Sequence, residues 1–403
     1  MELVLNITKE YQGKSIKELL RSKGYSTRLI KRFKYEGEIT LNGARVTVRK
    51  SLSEGDILRL FAPEPKGLMP TEGELNILYR DSWLIALHKP SGLAVHPQGK
   101  QSSASLASIL SGALKSGEAV HLSGRLDKPT SGVVLASKNA DTAARLFSAF
   151  KARRVQKCYL ALVNGSITTD EGEISLAIAS DPASPKRFIS DSGKPSLSRY
   201  RVLRREENHT LVLLYPITGR THQLRVHLAA IGHPILGDSL YGDGENAPRL
   251  MLHALTLKLL HPHTEEPLTL YAPAPLPFPA LSKGELALAL GHTPTQHRMQ
   301  LAPAPFEAIC RGRKKIEMRL YDEKRKKISL GDSILFVNRE TGEETEKSVV
   351  SLHRYGSFAE LYEAFSPIQL GYGESEQKDP KDMEQYYKRE EISLYGVLGI
   401  GIE

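Results

Sequence analysis

Asp127 is the residue of this chain best placed to do chemistry. It lies in the string GRLDKPTSGVVLA (124–136), directly after Arg125-Leu126 and just before Lys128-Pro129-Thr130-Ser131-Gly132. Pro and Gly punctuate this segment, so it should form a tight, exposed turn feeding an apolar strand over 133–136. Loops carried by rigid strands are where catalytic groups tend to sit, although an isolated aspartate is more often a turn or cap residue. The other chemistry-bearing residue types give little. His222 and His227 are five apart with no HExxH pattern, and His261-Pro262-His263 falls at a turn. Neither set has the ligand number or spacing of a zinc site. No Walker or dinucleotide glycine pattern is present, so no metal and no cofactor is expected.

The surrounding chain has 403 residues, too many for one ordinary core, and two to four domains are the prior. Hydrophobic residues make up 40% and charged residues 25%, which is a globular rather than a disordered composition. The net charge of +9 is unevenly spread: residues 1–60 hold 13 Lys/Arg against 7 Asp/Glu. That asymmetry points to a polyanionic partner, of which nucleic acid is the usual one. Cys158 and Cys310 are the only cysteines, so a disulfide framework is excluded and a reducing compartment expected. The start MELVLNITKE lacks the basic and apolar stretches of a signal peptide, and no apolar run reaches the roughly 20 residues of a membrane span. A cytoplasmic protein that avoids membranes is expected, and nothing calls for more than a monomer.

The elements that must position Asp127 fall into three regions. Within 1–62, Ile16, Leu19 and Leu20 recur at helical spacing, Gly24 is a plausible stop, and Ser26 or Thr27 can cap a second helix burying Leu29, Ile30 and Phe33. Arg28, Lys31, Arg32 and Lys34 project from that helix. Asn42-Gly43 between Ile39/Leu41 and Val46/Val48 is a hairpin signal, because both turn positions need φ > 0. Between 74 and 281 many short β-like runs are interrupted by helical stretches near 102–114 and 140–150. Their irregular order argues for α+β with a mostly antiparallel sheet. A proline-rich run, APAPLPFPALSKGE from Ala272, reads as an extended spacer before a third region, 302–403. There, 328–337 reads as strand–turn–strand and GVLGIGIE as a final strand.

The string around Asp127 resembles the RLD-x-x-TSG signature of the RluA-type RNA pseudouridine synthases. Further blocks resembling that family follow in order: LHKPSGLAVHP (87–97), KCYLAL (157–162), PITGRTHQLRVHLAAIGHPILGDSLYG (216–242) and MLHALTLKLLHP (251–262). Agreement across all these spacings is far more specific than one short motif. The helix–helix–hairpin order of the first region, with LNG and EGD, resembles the small S4 RNA-binding domain. GRKKIEMR (312–319) resembles the G-x-K-x-x-E-x-R block of the ASCH domain, a PUA-like β-barrel relative, with Lys314 in the lysine place.

The resemblance implies an α+β, multidomain enzyme isomerising uridines in ribosomal or transfer RNA without a cofactor. Asp127 would be the catalytic carboxylate, attacking the sugar or removing a neighbouring proton. Tyr159 would line the base pocket and act in removing the C5 proton. Arg225 would be the ion-pair partner that orients Asp127 and keeps it ionised. HQLRVH reads as strand, on which Leu224 alternates with Arg225 and so faces the opposite way, toward the core. Arg125 and Arg220 read as RNA-phosphate or loop-fixing groups, and Arg28, Lys31, Arg32, Lys34 and Lys314 as RNA-binding. In one departure, Gly124 stands where the family usually has His, with His121 three residues earlier. The alternatives are a non-catalytic RNA-binding factor, or a bifunctional enzyme whose ASCH-like region hydrolyses a modified nucleoside.

Overall fold

The computed structural model describes residues 2–23, 25, 27–61, 70–97, 104–114, 121–181, 183–373 and 376–403, and for 2, 27–29 and 32 the backbone alone. Gly24 and Ser26, and the side chains of Arg28 and Arg32, lie outside the described residues. The chain divides into two compact units, 1–68 and 69–403.

In the first unit, β1 (Glu2–Asn6) is followed by two helices, α1 (Ile16–Ser22) and α2 (Thr27–Tyr35), then β2 (Glu38–Leu41), β3 (Ala44–Arg45) and β4 (Ile57–Phe61). Ser15 caps α1 by accepting from the Glu18 N–H, while Glu18 reaches back to the Ser15 N–H. The Ile16/Leu19/Leu20 stripe this starts is fully buried, together with Phe33 of α2. Each such side chain stabilises the unit by about 1.5–3 kcal/mol. Asn42 (φ 54°) and Gly43 (φ 83°) make the predicted turn between β2 and β3. The antiparallel sheet order is β1–β4–β2–β3.

The second unit opens with β5 (Ile77–Arg80), β6 (Leu84–Lys89), α3 (Leu106–Ala113), β7 (His121–Ser123) and β8 (Ser131–Ser137). It continues through α4 (Ala140–Lys151), β9 (Gln156–Asn164), β10 (Glu171–Ser175), β11 (Ile178–Ser180), β12 (Arg187–Ile189), β13 (Leu197–Arg205) and β14 (His209–Pro216). Then come α5 (Gln223–Ala230), β15 (Leu252–Leu260), β16 (Pro267–Tyr271), α6 (Lys283–Leu290), β17 (Gln296–Leu301), α7 (Pro303–Cys310) and β18 (Ile316–Leu320). The last elements are β19 (Ser333–Asn338), β20 (Glu344–Tyr355), α8 (Phe358–Ala364), α9 (Pro367–Leu370), α10 (Arg389–Tyr395) and β21 (Val397–Ile402). One sheet runs β10–β13–β14–β9–β15–β8–β6–β5–β20–β19–β17. Its pairings are antiparallel except β15/β8, β20/β5 and β17/β19.

Strand β8, which receives the Asp127 loop, is buried along its whole length. Its Gly132 has φ 117°, and a Cβ there would lie 2.2 Å from the Ala254 carbonyl oxygen. Only glycine lets β8 and β15 approach this closely, so the Gly of the TSG string has a packing reason.

Two expectations differ from the structure. The proline-rich run after Ala272 is no free spacer: Ala272 and Phe278 are buried, and Ser282 caps α6. Region 302–403 is therefore built onto the preceding sheet. Leu352 lies opposite Tyr79 across β20/β5, and Leu78, Leu84, Phe306, Phe336 and Leu352 share one core. Of the stretch 328–337, only the part after the Gly331-Asp332 turn is strand, because Ile328 follows a short 3-10 turn (Arg325–Lys327).

Candidate active site

The Asp127 loop is held from beneath by the block that precedes it in sequence. Lys89 is fully buried at the end of β6, and its ammonium donates to the carbonyls of Pro90 (2.8 Å), Leu93 (2.8 Å) and Lys128 (3.1 Å). Burial, with the Arg249 charge adding to it, pushes its pKa down to about 8 against the pull of Asp127. The Gly92 N–H also donates to Lys128 O (2.9 Å), Ser91 Oγ to Pro129 O (2.7 Å), and the Thr130 N–H to Asp127 O (3.0 Å). Asp127 is thus presented half-buried on a turn whose every backbone bend is tied down.

Facing it is α5. The strand expected at HQLRVH is a helix, and the correction has a simple cause. In QLRVHLAA the apolar residues fit both an alternating and a helical period, and the alternation misleads. Leu224 is in the core as expected, but through helical rotation rather than strand alternation. The helix starts with His222 in the left-handed region (φ 57°), a strained conformation for a non-glycine residue. Gln223 fixes that start: its amide oxygen accepts from Thr218 Oγ1 (2.7 Å) and the Arg220 N–H (3.0 Å), and its nitrogen donates to Leu197 O (2.9 Å) and Ser198 Oγ (3.0 Å).

Arg225, 3% exposed, projects from α5 between two carboxylates. Its Nε and Nη2 donate to Asp238 at 2.8 and 2.7 Å, and its Nη1 lies 3.5 Å from Asp127 Oδ2. Burial works against its charge, but Asp238 and Asp127 overcome this and raise its pKa. For Asp238 burial would raise the pKa, and the Arg225 contacts bring it below the usual carboxylate range. Asp238 is a site residue that sequence reasoning missed. GDSLYG looks like a turn, and the only signal was an acid inside the same block as Arg225.

His222 Nε2 lies 3.9 Å from Asp127 Oδ2, and its Nδ1 is 2.8 Å from the Tyr241 hydroxyl. That hydroxyl accepts the Arg187 N–H (2.7 Å), so its own proton is free for Nδ1 and the Nε2–H then faces Asp127. Burial lowers the His222 pKa below the ordinary imidazole value, opposed by the Asp127 charge. Tyr159, on β9, has its hydroxyl pKa raised by burial first and then by the Asp127 charge. The structure therefore brings Asp127, Tyr159 and Arg225 into one constellation and adds His222, Asp238 and Tyr241. A carboxylate beside a phenol and a fixed guanidinium can act as a nucleophile or base on a sugar while the phenol handles a second proton.

Arg125 and Arg220 are both exposed, with Arg220 Nη2 3.3 Å from Pro195 O. Lys31 and Lys34 are exposed on α2 of the first unit, Lys34 lying 4.4 Å from the Tyr35 ring centre. Lys314 is not a free surface cation. It is 7% exposed and 3.0 Å from the fully buried Glu317, which also pairs with Arg319. This triad lines a cleft of about 990 Å³ with Arg313, Tyr372 and Tyr386. Gly124 has φ 87°, and a Cβ there would touch the Phe150 ring at 3.9 Å. Among the described residues no cluster of three or more His, Cys, Asp or Glu could hold a metal, and no helix is long and apolar enough to cross a membrane.

Residues 83–230 match the RNA pseudouridylate synthase family model. A Bacillus subtilis protein named as an uncharacterized RNA pseudouridine synthase, YjbO, is 34% identical over 280 residues, 67% of this chain and 99% of its own length. The chain belongs to the RNA pseudouridine synthases. The synthase is also 32% identical to the ribosomal large subunit pseudouridine synthase C of Vibrio vulnificus, over 67% of this chain and 92% of that one. A solved structure, human RNA pseudouridylate synthase domain containing 1, is 31% identical with a TM-score of 0.46, covering 58% of this chain and 99% of that structure. Residues 299–403 match the ASCH domain model. The synthase is therefore a sheet-rich α+β isomerase of RNA uridines carrying an ASCH domain.

Proposed function

We propose that the synthase acts on ribosomal or transfer RNA, with Asp127 as the catalytic carboxylate. The target uridine is flipped out of its stack, at a cost of a few kcal/mol, and its ribose meets Asp127. Arg225 orients that carboxylate, while Tyr159 packs on the freed uracil and takes part in removing the C5 proton. Uracil rejoins ribose through carbon, so nothing is oxidised or consumed and no cofactor is called for. The observation that carries this reading is the one-sided setting of Asp127: a pinned loop behind it, a buried guanidinium 3.5 Å away and a half-buried tyrosine within its electrostatic reach. Relatives named for the large ribosomal subunit make its RNA the first substrate to try.

In the same reading three regions share the work in the cytoplasm, as a monomer: an S4-like domain at 1–62, the catalytic domain at 74–281, and a barrel-like ASCH region at 302–403. Lys31 and Lys34 of the first, with Arg28 and Arg32, grip phosphates. Arg125 and Arg220 flank the catalytic cleft. Lys314 serves the RNA from within the ASCH cleft, whose arginines and tyrosines favour RNA binding over a second hydrolytic activity.

The test is release of tritium to water from RNA labelled at uracil C5. Wild-type protein should release it, and Asp127→Asn should not while still binding RNA. Equal release by both would remove Asp127 from the reaction.

A further inference from the structure

Strands β11 and β12 form a small ribbon outside the large sheet, with Ser180 opposite Arg187 and Ala179 opposite Phe188. Its base is firmly docked. Ile178 is buried and exchanges backbone hydrogen bonds with Lys194 (3.0 and 2.9 Å). A Cβ on Gly193 would come within 2.5 Å of the Ile178 carbonyl carbon, so the two segments are in close contact. Leu176 O lies 3.1 Å from His227 Nε2, which ties the ribbon to the helix that carries Arg225.

The second strand of the ribbon reaches the catalytic constellation. The Arg187 N–H donates to the Tyr241 hydroxyl, Tyr241 meets His222, and His222 lies beside Asp127. The Arg187 charge is felt at both His222 and Tyr241. Its half-buried guanidinium is hydrogen-bonded to Lys186 O (3.2 Å), and among the described residues it pairs with no carboxylate. A partly desolvated cation without a counter-ion, at the rim of a site that acts on RNA, fits a phosphate. Successive strand residues face opposite ways, so Phe188 points away from Arg187, and its ring is 48% exposed. Lys186, also exposed, precedes both. Lys186, two positions away, shares the Phe188 face, and Arg187 lies on the other; a ribbon carrying such charges and an exposed ring suits unpaired RNA, phosphates to the charges and a base to the ring.

We propose that this ribbon is a second RNA-contacting jaw of the active site, in which Arg187 holds a phosphate next to the target uridine and Phe188 stacks on a base of the strand the uridine has left. It rests on the reading of Asp127 as the reacting group. The two residues act on binding, and the chemical step belongs to the constellation behind them.

The test measures RNA affinity at several salt concentrations, together with single-turnover tritium release at saturating RNA, for full-length wild type, Arg187→Ala, Arg187→Lys, Phe188→Ala, Phe188→Trp and Phe188→Leu. Thermal melts check that each variant is folded. Arg187→Ala should weaken binding about 10-fold and shrink the salt slope by about one phosphate's worth, while Arg187→Lys keeps the slope. Phe188→Ala should weaken binding about 5- to 50-fold with the slope unchanged. Tryptophan should restore affinity and leucine should not. Rates at saturating RNA should stay within about twofold of wild type for the three Phe188 variants. Unchanged affinity and slope in Arg187→Ala, or leucine restoring affinity as well as tryptophan, would overturn the jaw. If wild type binds RNA but releases no tritium, the catalytic reading fails on its own and the affinity series still decides the jaw.

Discussion

Asp238 carries the most exposed prediction of the site, because its partner Arg225 serves two carboxylates at once. The perturbation is Asp238→Asn. In the native site Asp238 accepts four hydrogen bonds: from Arg225 Nε (2.8 Å) and Nη2 (2.7 Å), and from the backbone N–H groups of Leu240 (2.9 Å) and Tyr241 (3.2 Å). An asparagine oxygen in the Oδ1 position keeps the backbone bonds and the one to Nη2. Its amide nitrogen then faces the Arg225 Nε–H, donor against donor. One charge-assisted bond is lost, about 1.5–3 kcal/mol. The buried guanidinium also loses its main counter-ion, for a total of about 3–5 kcal/mol. The melting temperature should fall on the order of 5–10 °C.

Arg225 then swings toward Asp127, the remaining acid 3.5 Å away, and the carboxylate loses its working geometry. Single-turnover tritium release should drop about 10- to 100-fold, which is about 1.4–2.7 kcal/mol of barrier. Adding Arg225→Met removes both charges, and stability should largely return while activity does not. An Asp238→Asn protein that melts within a degree or two of wild type and keeps its rate would refute the assignment of Asp238 as the holder of Arg225.

Three other outcomes are expected. Lys89→Met should strand the carbonyls of Pro90 and Leu93 and leave that of Lys128 with the Gly92 N–H, cost roughly 3 kcal/mol and slow the single-turnover rate at least tenfold; a rate equal to wild type would show that the loop needs no such anchor. Gly132→Ala should abolish soluble folded protein, since its Cβ would lie 2.2 Å from a backbone oxygen, and ordinary yield would contradict the β8/β15 contact. Burial pushes His88 down to about 4 and His253 to about 3. With folded pKa values below the ordinary 6.5, the unfolded chain takes the protons first. Stability from these two neutral rings is therefore full above pH 6.5 and is lost as pH falls toward 4 and 3, by about 2 kcal/mol for each at pH 5. Urea midpoints at pH 7 and pH 5 test this, and His88→Gln should flatten the drop.

The short apolar runs around 84–87, 133–136 and 211–215 were legible as strands because burial on both faces leaves little but Val, Leu and Ile there. The Asn42-Gly43 turn and the Asp127 loop were legible from backbone chemistry alone. What the sequence concealed were relations between distant segments. Arg225 sits on a helix because tertiary packing chose between two periods that its neighbours satisfy equally. Asp238 acquires its meaning only when α5 is laid against 238–241. Lys89 looks like a solvated end of a strand, and only the loop folded over it accounts for its burial. The prolines after Ala272 signal extension correctly, but they carry no sign that Phe278 is buried. In the first unit the two helices and the hairpin read from the sequence are present, while the side chains of Arg28 and Arg32 lie outside the described residues.

The β5/β20 pairing bears on how the protein is born. The first strand of the second unit finds its neighbour in Glu344–Tyr355, so β5 stays an open edge until that distant segment has been made. An unpaired edge is a template for other chains, and closing so long a loop is slow. The catalytic sheet cannot be completed until residues 344–355 have been made, and nascent chains halted before that point should depend on chaperones and aggregate without them. The ASCH segment is thus also the closing clasp of the enzyme that precedes it on the ribosome.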